Sequence, residues 1–130
     1  MNVEDWLAEL ASLSVRFLDV ITISFTNGAS LDVYVPFNLK QRQLGLAGLQ
    51  SLSGADGMLF VYDSPTYAPF SMIDMLFDLD VAWFDRSGKL LKKGSYKAGD
   101  PNPLVCHTAF SYVLECPAGT MPSSDLKVRV

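Results

Sequence analysis

The sequence predicts a mainly β protein, an antiparallel β-sandwich or barrel of jelly-roll-like topology with an N-terminal helix and one short internal helix. Three observations carry this expectation. Apolar and polar residues alternate over several short runs, which is the period of a strand with one face buried. Turn residues such as Asn27-Gly28 and Asp85-Arg86-Ser87-Gly88 separate those runs. Helical spacing is confined to two short segments with no visible alternation of strand and helix, so a parallel doubly wound sheet is not expected.

Element by element, residues 3–13 show Val3, Trp6, Leu7, Leu10 and Leu13 at helical spacing, with Asn2 as a cap and Glu4 and Asp5 at the positive end of the dipole. The Trp6, Leu7 and Leu10 face serves either to dock another chain or to pack on the protein's own sheet, and packing is favoured. Val15 to Phe25 is β-branched and aromatic; Asn27-Gly28 turns it back onto Leu31–Val35, and Pro36 ends the return strand. Positive φ is expected at both turn residues. Residues 38–49 suit a helix of one to three turns, with Asn38 as N-cap and Gln41 three residues on, weakened by Gly45 and Gly48.

Met58–Tyr62 suits a buried strand, and Pro65 and Pro69 bracket an extended linker. From 70 to 84, Ile73, Met75, Phe77, Leu79, Val81 and Trp83 share one parity and Asp74, Asp78 and Asp80 the other. This predicts a half-buried strand, or two with a bend. Lys89–Lys93 and Phe110–Cys116 follow as strands, and Asp125–Val130 as an edge strand. Met58 and Phe60 or their alternates, with Leu79, Val81, Trp83, Val113 and Phe110, are the expected core.

A chain of 130 residues suits a single domain, 1–130, with an added helix at 1–13 and a β-rich body at 15–130. Hydrophobic residues make up 49% and charged ones 18%, which excludes a disordered chain. The net charge of −4 argues against nucleic acid as a partner, because phosphate contacts need a basic surface. No apolar run is long enough to span a membrane. The acidic N-terminus is unlike a secretory signal, so the chain as it stands is expected to be cytoplasmic. Cys106 and Cys116 are too few for a disulfide scaffold or a Cys-rich zinc site. A bridge between them would form only in an oxidising compartment.

Four segments follow one order: Gln43-Leu44-Gly45-Leu46, Gly57-Met58-Leu59-Phe60-Val61-Tyr62, Phe70-Ser71-Met72 running to Leu79-Asp80-Val81-Ala82-Trp83-Phe84-Asp85, and Tyr112-Val113-Leu114-Glu115 with Ala118-Gly119-Thr120. Over roughly residues 40–120 the chain resembles the domain-of-unknown-function family number 192. The resemblance implies a small mainly-β, jelly-roll-like domain with no established activity, in a family many of whose members are exported or membrane-associated. The chain departs from the family pattern at Ser71, at Ile73-Asp74-Met75 and at Asp78, which rewrites its most polar part. Asp80 and Glu115 keep the family's acidic positions, so the resemblance makes them the first site candidates.

The residues offer three constellations. Residues 43–85 hold six aspartates (56, 63, 74, 78, 80 and 85) and no Lys or Arg, whereas 86–99 hold Arg86, Lys89, Lys92, Lys93 and Lys97 and no acid. Asp74, Asp78 and Asp80 could bind a ligand or a hard cation. A solvated acidic face neutralised by the adjacent basic strand is the plainer reading, and no metal is expected. Cys106-His107 pairs a nucleophile with a base, although neighbours on a strand face opposite ways. Asp80 and Glu115 could share acid and base roles. A structural Asp80, held by N–H groups of the 45–49 or Ala118-Gly119 turns, is preferred.

The expectation is therefore a non-enzymatic binding or accessory module for a protein or small molecule, without a cofactor. The alternatives are a hydrolase-like or carbohydrate-active enzyme using paired carboxylates, with or without a metal, and a purely structural accessory protein. Oligomeric state is left open.

Overall fold

The computed structural model describes residues 18–36 and 38–128. β1 (Asp19–Ser24) and β2 (Ser30–Val35) form the expected hairpin, in register from Asp19 opposite Val35 to Ser24 opposite Ser30. Its turn differs from the expected one. Only Gly28 has positive φ (91°), with Gly28 N–H donating to the Phe25 carbonyl and Phe25 N–H to that of Ala29. The loop is thus longer than a two-residue turn, and Asn27 contributes through its side chain, which accepts from Ala29 N–H at 3.0 Å.

Asn38 caps α1 (Leu39–Leu44) as its spacing predicts, accepting from Gln41 N–H at 2.8 Å. Gly45, at φ 52°, stops the helix after six residues, and turns replace the second half of the expected one. The chain then enters β3 (Gly57–Thr66), which runs parallel to β2 through the pairs Val33–Gly57 and Tyr34–Met58. Asp56 extends this pairing, since Asp32 N–H donates to its carboxylate and Asp56 N–H to the Asp32 carbonyl.

β2, α1 and β3 are therefore a strand–helix–strand unit, which the sequence pattern hid. A parallel pair needs a crossover of about a dozen residues or more, and the 36–56 connection supplies it.

β4 (Leu79–Phe84), β5 (Leu90–Tyr96) and β6 (Phe110–Pro117) complete one open six-stranded sheet in the order β1-β2-β3-β6-β4-β5. All its pairings except β2–β3 are antiparallel. This mixed sheet takes the place of the all-antiparallel sandwich or barrel expected from the sequence. The protein is mainly β with very little helix. The helix expected at 1–13 lies outside the described residues, as does the start of the strand expected from Val15. The edge strand expected at 125–130 is reduced, among the described residues, to a single bridge between Phe25 and Leu126.

Both sheet faces are covered. Trp83, Val81, Leu79, Phe60, Met58, Phe110 and Val113 bury one face under Leu46, Met72, Met75, Leu104 and Cys106 from the connecting segments. Leu59, Ala82, Phe84, Leu114 and Cys116 bury the other against Phe25, Met121 and Leu126. Every expected core residue is buried. Each large apolar side chain so removed from water contributes about 1.5–3 kcal/mol.

β4 is buried along its whole length rather than half-buried. The alternation upstream of it is not a strand. Met72 and Met75 are both buried, three residues apart across a turn closed by Met75 N–H on the Met72 carbonyl, while Ile73 and Leu76 are 57% and 40% exposed. A tight turn repeats every three residues, so period two from 70 to 78 arose by coincidence.

Candidate functional site

A cleft of about 560 Å³ lies where α1 and its following turn meet β3, β6 and the 68–75 segment. The Asn38 cap starts α1 so that Arg42 falls in its last turn, and Gly45 then reverses the chain against the sheet. A Cβ on Gly45 would sit 3.3 Å from Phe60 Cζ and 3.7 Å from Glu115 Oε1, and its positive φ already disfavours a side chain. Strand alternation puts Met58, Phe60 and Tyr62 on one face of β3, and β6 sets Glu115 opposite Met58.

Phe70 packs edge-on against Phe60 at 5.1 Å between centroids, and Tyr62 against Phe110 at 5.9 Å. The Arg42 guanidinium stands 5.4 Å from the centre of the Tyr62 ring, a cation–π distance.

Glu115 lines this cleft at only 4% exposure and makes no hydrogen bond with another described residue. Burial raises its carboxyl from 4.5 to about 8, so it carries a proton at neutral pH. Burial also raises the Tyr62 phenol; Arg42 pulls it down and Glu115 pushes it up, which places all three groups within electrostatic reach. Arg42 Nε is buried with no hydrogen-bond partner among the described residues. The cleft thus holds an acid and a cation that do not satisfy one another, on an apolar lining.

Of the residues singled out from sequence, Glu115 and Asp74 line this cleft, with Asp74 exposed. Asp80 does not. It shares the parity of Ala82 and Phe84, on the opposite sheet face from Val81 and Glu115. The Asp80–Glu115 acid–base pair considered from the sequence is therefore not assembled.

Asp80 is 4% exposed and accepts from Ser95 Oγ at 2.6 Å and from Gly119 N–H at 2.9 Å. This is the structural role preferred from the sequence, with the Ala118-Gly119 turn as donor. Asp80→Ala is expected to cost about 1–3 kcal/mol by orphaning both donors, and Asp80→Asn less, since an amide oxygen still accepts. Thermal denaturation of the two variants checks this; an unchanged melting temperature for Asp80→Ala would contradict it.

Asp78 sits at the head of β4, accepting from Ala98 N–H at 2.9 Å and pairing with Lys97 at 3.3 Å, both of which lower its pKa. That is the one ion pair among the described residues. The other lysines of β5 reach carbonyls instead, Lys92 that of Val105 and Lys93 that of Met121. Charge neutralisation across the hairpin is therefore local. Among the described residues no three His, Cys, Asp or Glu side chains gather into a metal-holding cluster.

Cys106 is buried in the core while His107 is exposed, and no hydrogen bond joins them. Cys106 and Cys116 are both free and pack on opposite sheet faces. Burial pushes the Cys116 thiol up to about 12.

Arg42, Tyr62 and Phe70 were not singled out from the sequence. Arg42 reads as one polar residue of a short helix, and its importance appears only when Gly45 folds that helix end over Glu115.

The architecture and the motifs on β3, β4 and β6 have known counterparts. Residues 22–129 match the model of DUF192, described as "Uncharacterized ACR". The chain belongs to the DUF192 family. No curated protein matches it.

Two crystal structures share the fold. One, from Sinorhizobium meliloti 1021, is described as a candidate transcription regulator; it is 21% identical, with 82% of this chain and 89% of that one covered at a TM-score of 0.68. The other, a protein of unknown function from Novosphingobium aromaticivorans DSM 12444, is 19% identical, with 85% of each chain covered at a TM-score of 0.69. At these identities the likeness concerns the fold of the DUF192 domain. No helix among the described residues is long and apolar enough to cross a membrane.

Proposed function

We propose that this DUF192 chain is a small-molecule binding module whose ligand enters the cleft between α1, β3 and the 68–75 segment. The observation that carries the reading is Glu115, buried at the cleft with no hydrogen-bond partner for its carboxyl group among the described residues. A buried polar group left unmet costs about 1–3 kcal/mol, so a fold that keeps one beside an open cleft is shaped for something that meets it. The apolar lining and the few convergent polar groups have the make-up of a ligand site.

An enzyme built on paired carboxylates has less support, because Asp80 is committed to Ser95 and Gly119 on the other face. One structural neighbour is described as a candidate transcription regulator, and a regulator that contacted nucleic acid would gain nothing from a net charge of −4.

The test is a fragment screen of mixed charge followed by amide and side-chain NMR. Shift changes should cluster at Arg42, Gly45, Phe60, Tyr62, Phe70 and Glu115. Changes confined to other surfaces, or none at all, would refute the proposal.

A further inference from the structure

We infer that the ligand of this cleft is a small organic carboxylate whose apolar body lies against Phe60 and Phe70. The inference rests on the cleft being a ligand site and goes on to name the chemistry it takes.

The inner polar groups are all hydrogen-bond donors at neutral pH. Arg42 offers its guanidinium, whose buried Nε has no partner among the described residues. Glu115 retains its proton through burial, and Tyr62 keeps its phenolic one. Three groups that each offer a donor, around one positive charge and no negative one, select an oxyanion. The guanidinium fork also matches the two oxygens of a carboxylate better than it matches a single acceptor. A cationic amine would instead face Arg42 with no counter-charge from Glu115. Asp74 and Ser71, the exposed polar residues of the 68–75 segment that line the cleft, stand where the ligand would enter and discourage a highly charged anion.

The remaining lining decides between an organic acid and inorganic phosphate. Leu46, Ala68, Pro69 and Met75 surround the Phe60–Phe70 pair, so most of any occupant would touch apolar side chains. A bare phosphate would leave that surface uncovered. An aromatic or branched acid would cover it, and about 560 Å³ accommodates such a body.

The experiment titrates the whole chain with benzoate, phenylacetate and indole-3-acetate, followed by calorimetry and by the NMR signals of Gly45 and Phe60. Benzamide, phenethylamine and inorganic phosphate are run alongside. The carboxylates should bind. Benzamide should bind about tenfold or more weakly, and phosphate and phenethylamine should leave the cleft signals unmoved.

Arg42→Gln should weaken the best carboxylate by about tenfold to a hundredfold, the scale of one charge-assisted contact. Arg42→Lys, which keeps charge but loses the fork, should fall between. Melting curves confirm that both variants are folded.

Equal binding of benzamide, preference for phenethylamine, or undiminished binding by a folded Arg42→Gln would overturn the carboxylate assignment while leaving the cleft as a ligand site. Failure of fragments of every charge to move the cleft signals would instead remove the ligand site itself, and this inference with it.

Discussion

Trp83→Ala is expected to destabilise the protein by about 3–5 kcal/mol, among the largest effects of any single core truncation. Trp83 is fully buried near the C-terminal end of β4, the strand covered on both faces. Its ring meets Tyr96 edge-on at 6.2 Å and carries the Lys92 ammonium 5.2 Å from its centre. Alanine leaves a cavity between β4 and the segments packed over it, and backbone pairing to both β5 and β6 limits how far that cavity can collapse.

Trp83→Phe separates volume from polarity. The indole Nε1 is buried without a partner among the described residues, so phenylalanine removes an unmet donor along with the second ring. The lost packing and the relieved donor oppose one another, and the net cost should be about 1 kcal/mol. Urea unfolding with a shared slope reads both values. A cost below about 1 kcal/mol for Trp83→Ala would mean that this face of the sheet is not packed as described.

The core was legible because strands buried on a fixed parity announce themselves. Met58, Phe60, Leu79, Val81, Trp83 and Val113 fall on alternate positions of uninterrupted strands, and each is buried. Local chemistry was legible for the same reason. The Asn38 cap and the Gly119 donor to Asp80 follow from what an exposed helix start and a buried carboxylate require.

The parallel β2–β3 pair was not legible, since Gly45 and Gly48 break the helical pattern that marks a crossover. The 71–78 segment misled because Ile73, Met75 and Phe77 alternate by accident in a stretch built from turns. The site was half legible. Glu115 stood out, but it was matched with Asp80, its near neighbour across the β6–β4 pairing. One residue of offset along that pairing sends the two carboxylates to opposite faces. Arg42, which lines the same cleft, is far away in sequence and has no local signature.

Glu115 should also write itself into the pH dependence of folding. In the unfolded chain its carboxyl loses its proton near 4.5, whereas burial holds the proton on until about pH 8 in the folded protein. Between those values the folded state binds the extra proton, so stability must fall as pH rises through the window. Each unit is worth about 1.4 kcal/mol, and the whole window amounts to roughly 5 kcal/mol. The groups facing Glu115 do not mask this. The Tyr62 phenol, whose pKa burial raises above the usual 10.0, keeps its proton throughout this window.

Asp78 and Asp85, both lowered by hydrogen bonds, contribute in the opposite sense, with stability lost only as pH drops below about 4. The raised Cys116 thiol acts above pH 9, where its unfolded counterpart ionises. Denaturant unfolding at pH 5, 6, 7 and 8 should therefore show wild-type stability declining across the series. Glu115→Gln, which cannot ionise, should show a nearly flat profile, crossing the wild type near pH 5 and exceeding it by a few kcal/mol at pH 8. A wild-type profile as flat as that of the glutamine variant would show that Glu115 ionises freely in the folded protein. The cleft would then present an anion beside Arg42, and the Glu115 donor to an incoming oxyanion would be lost.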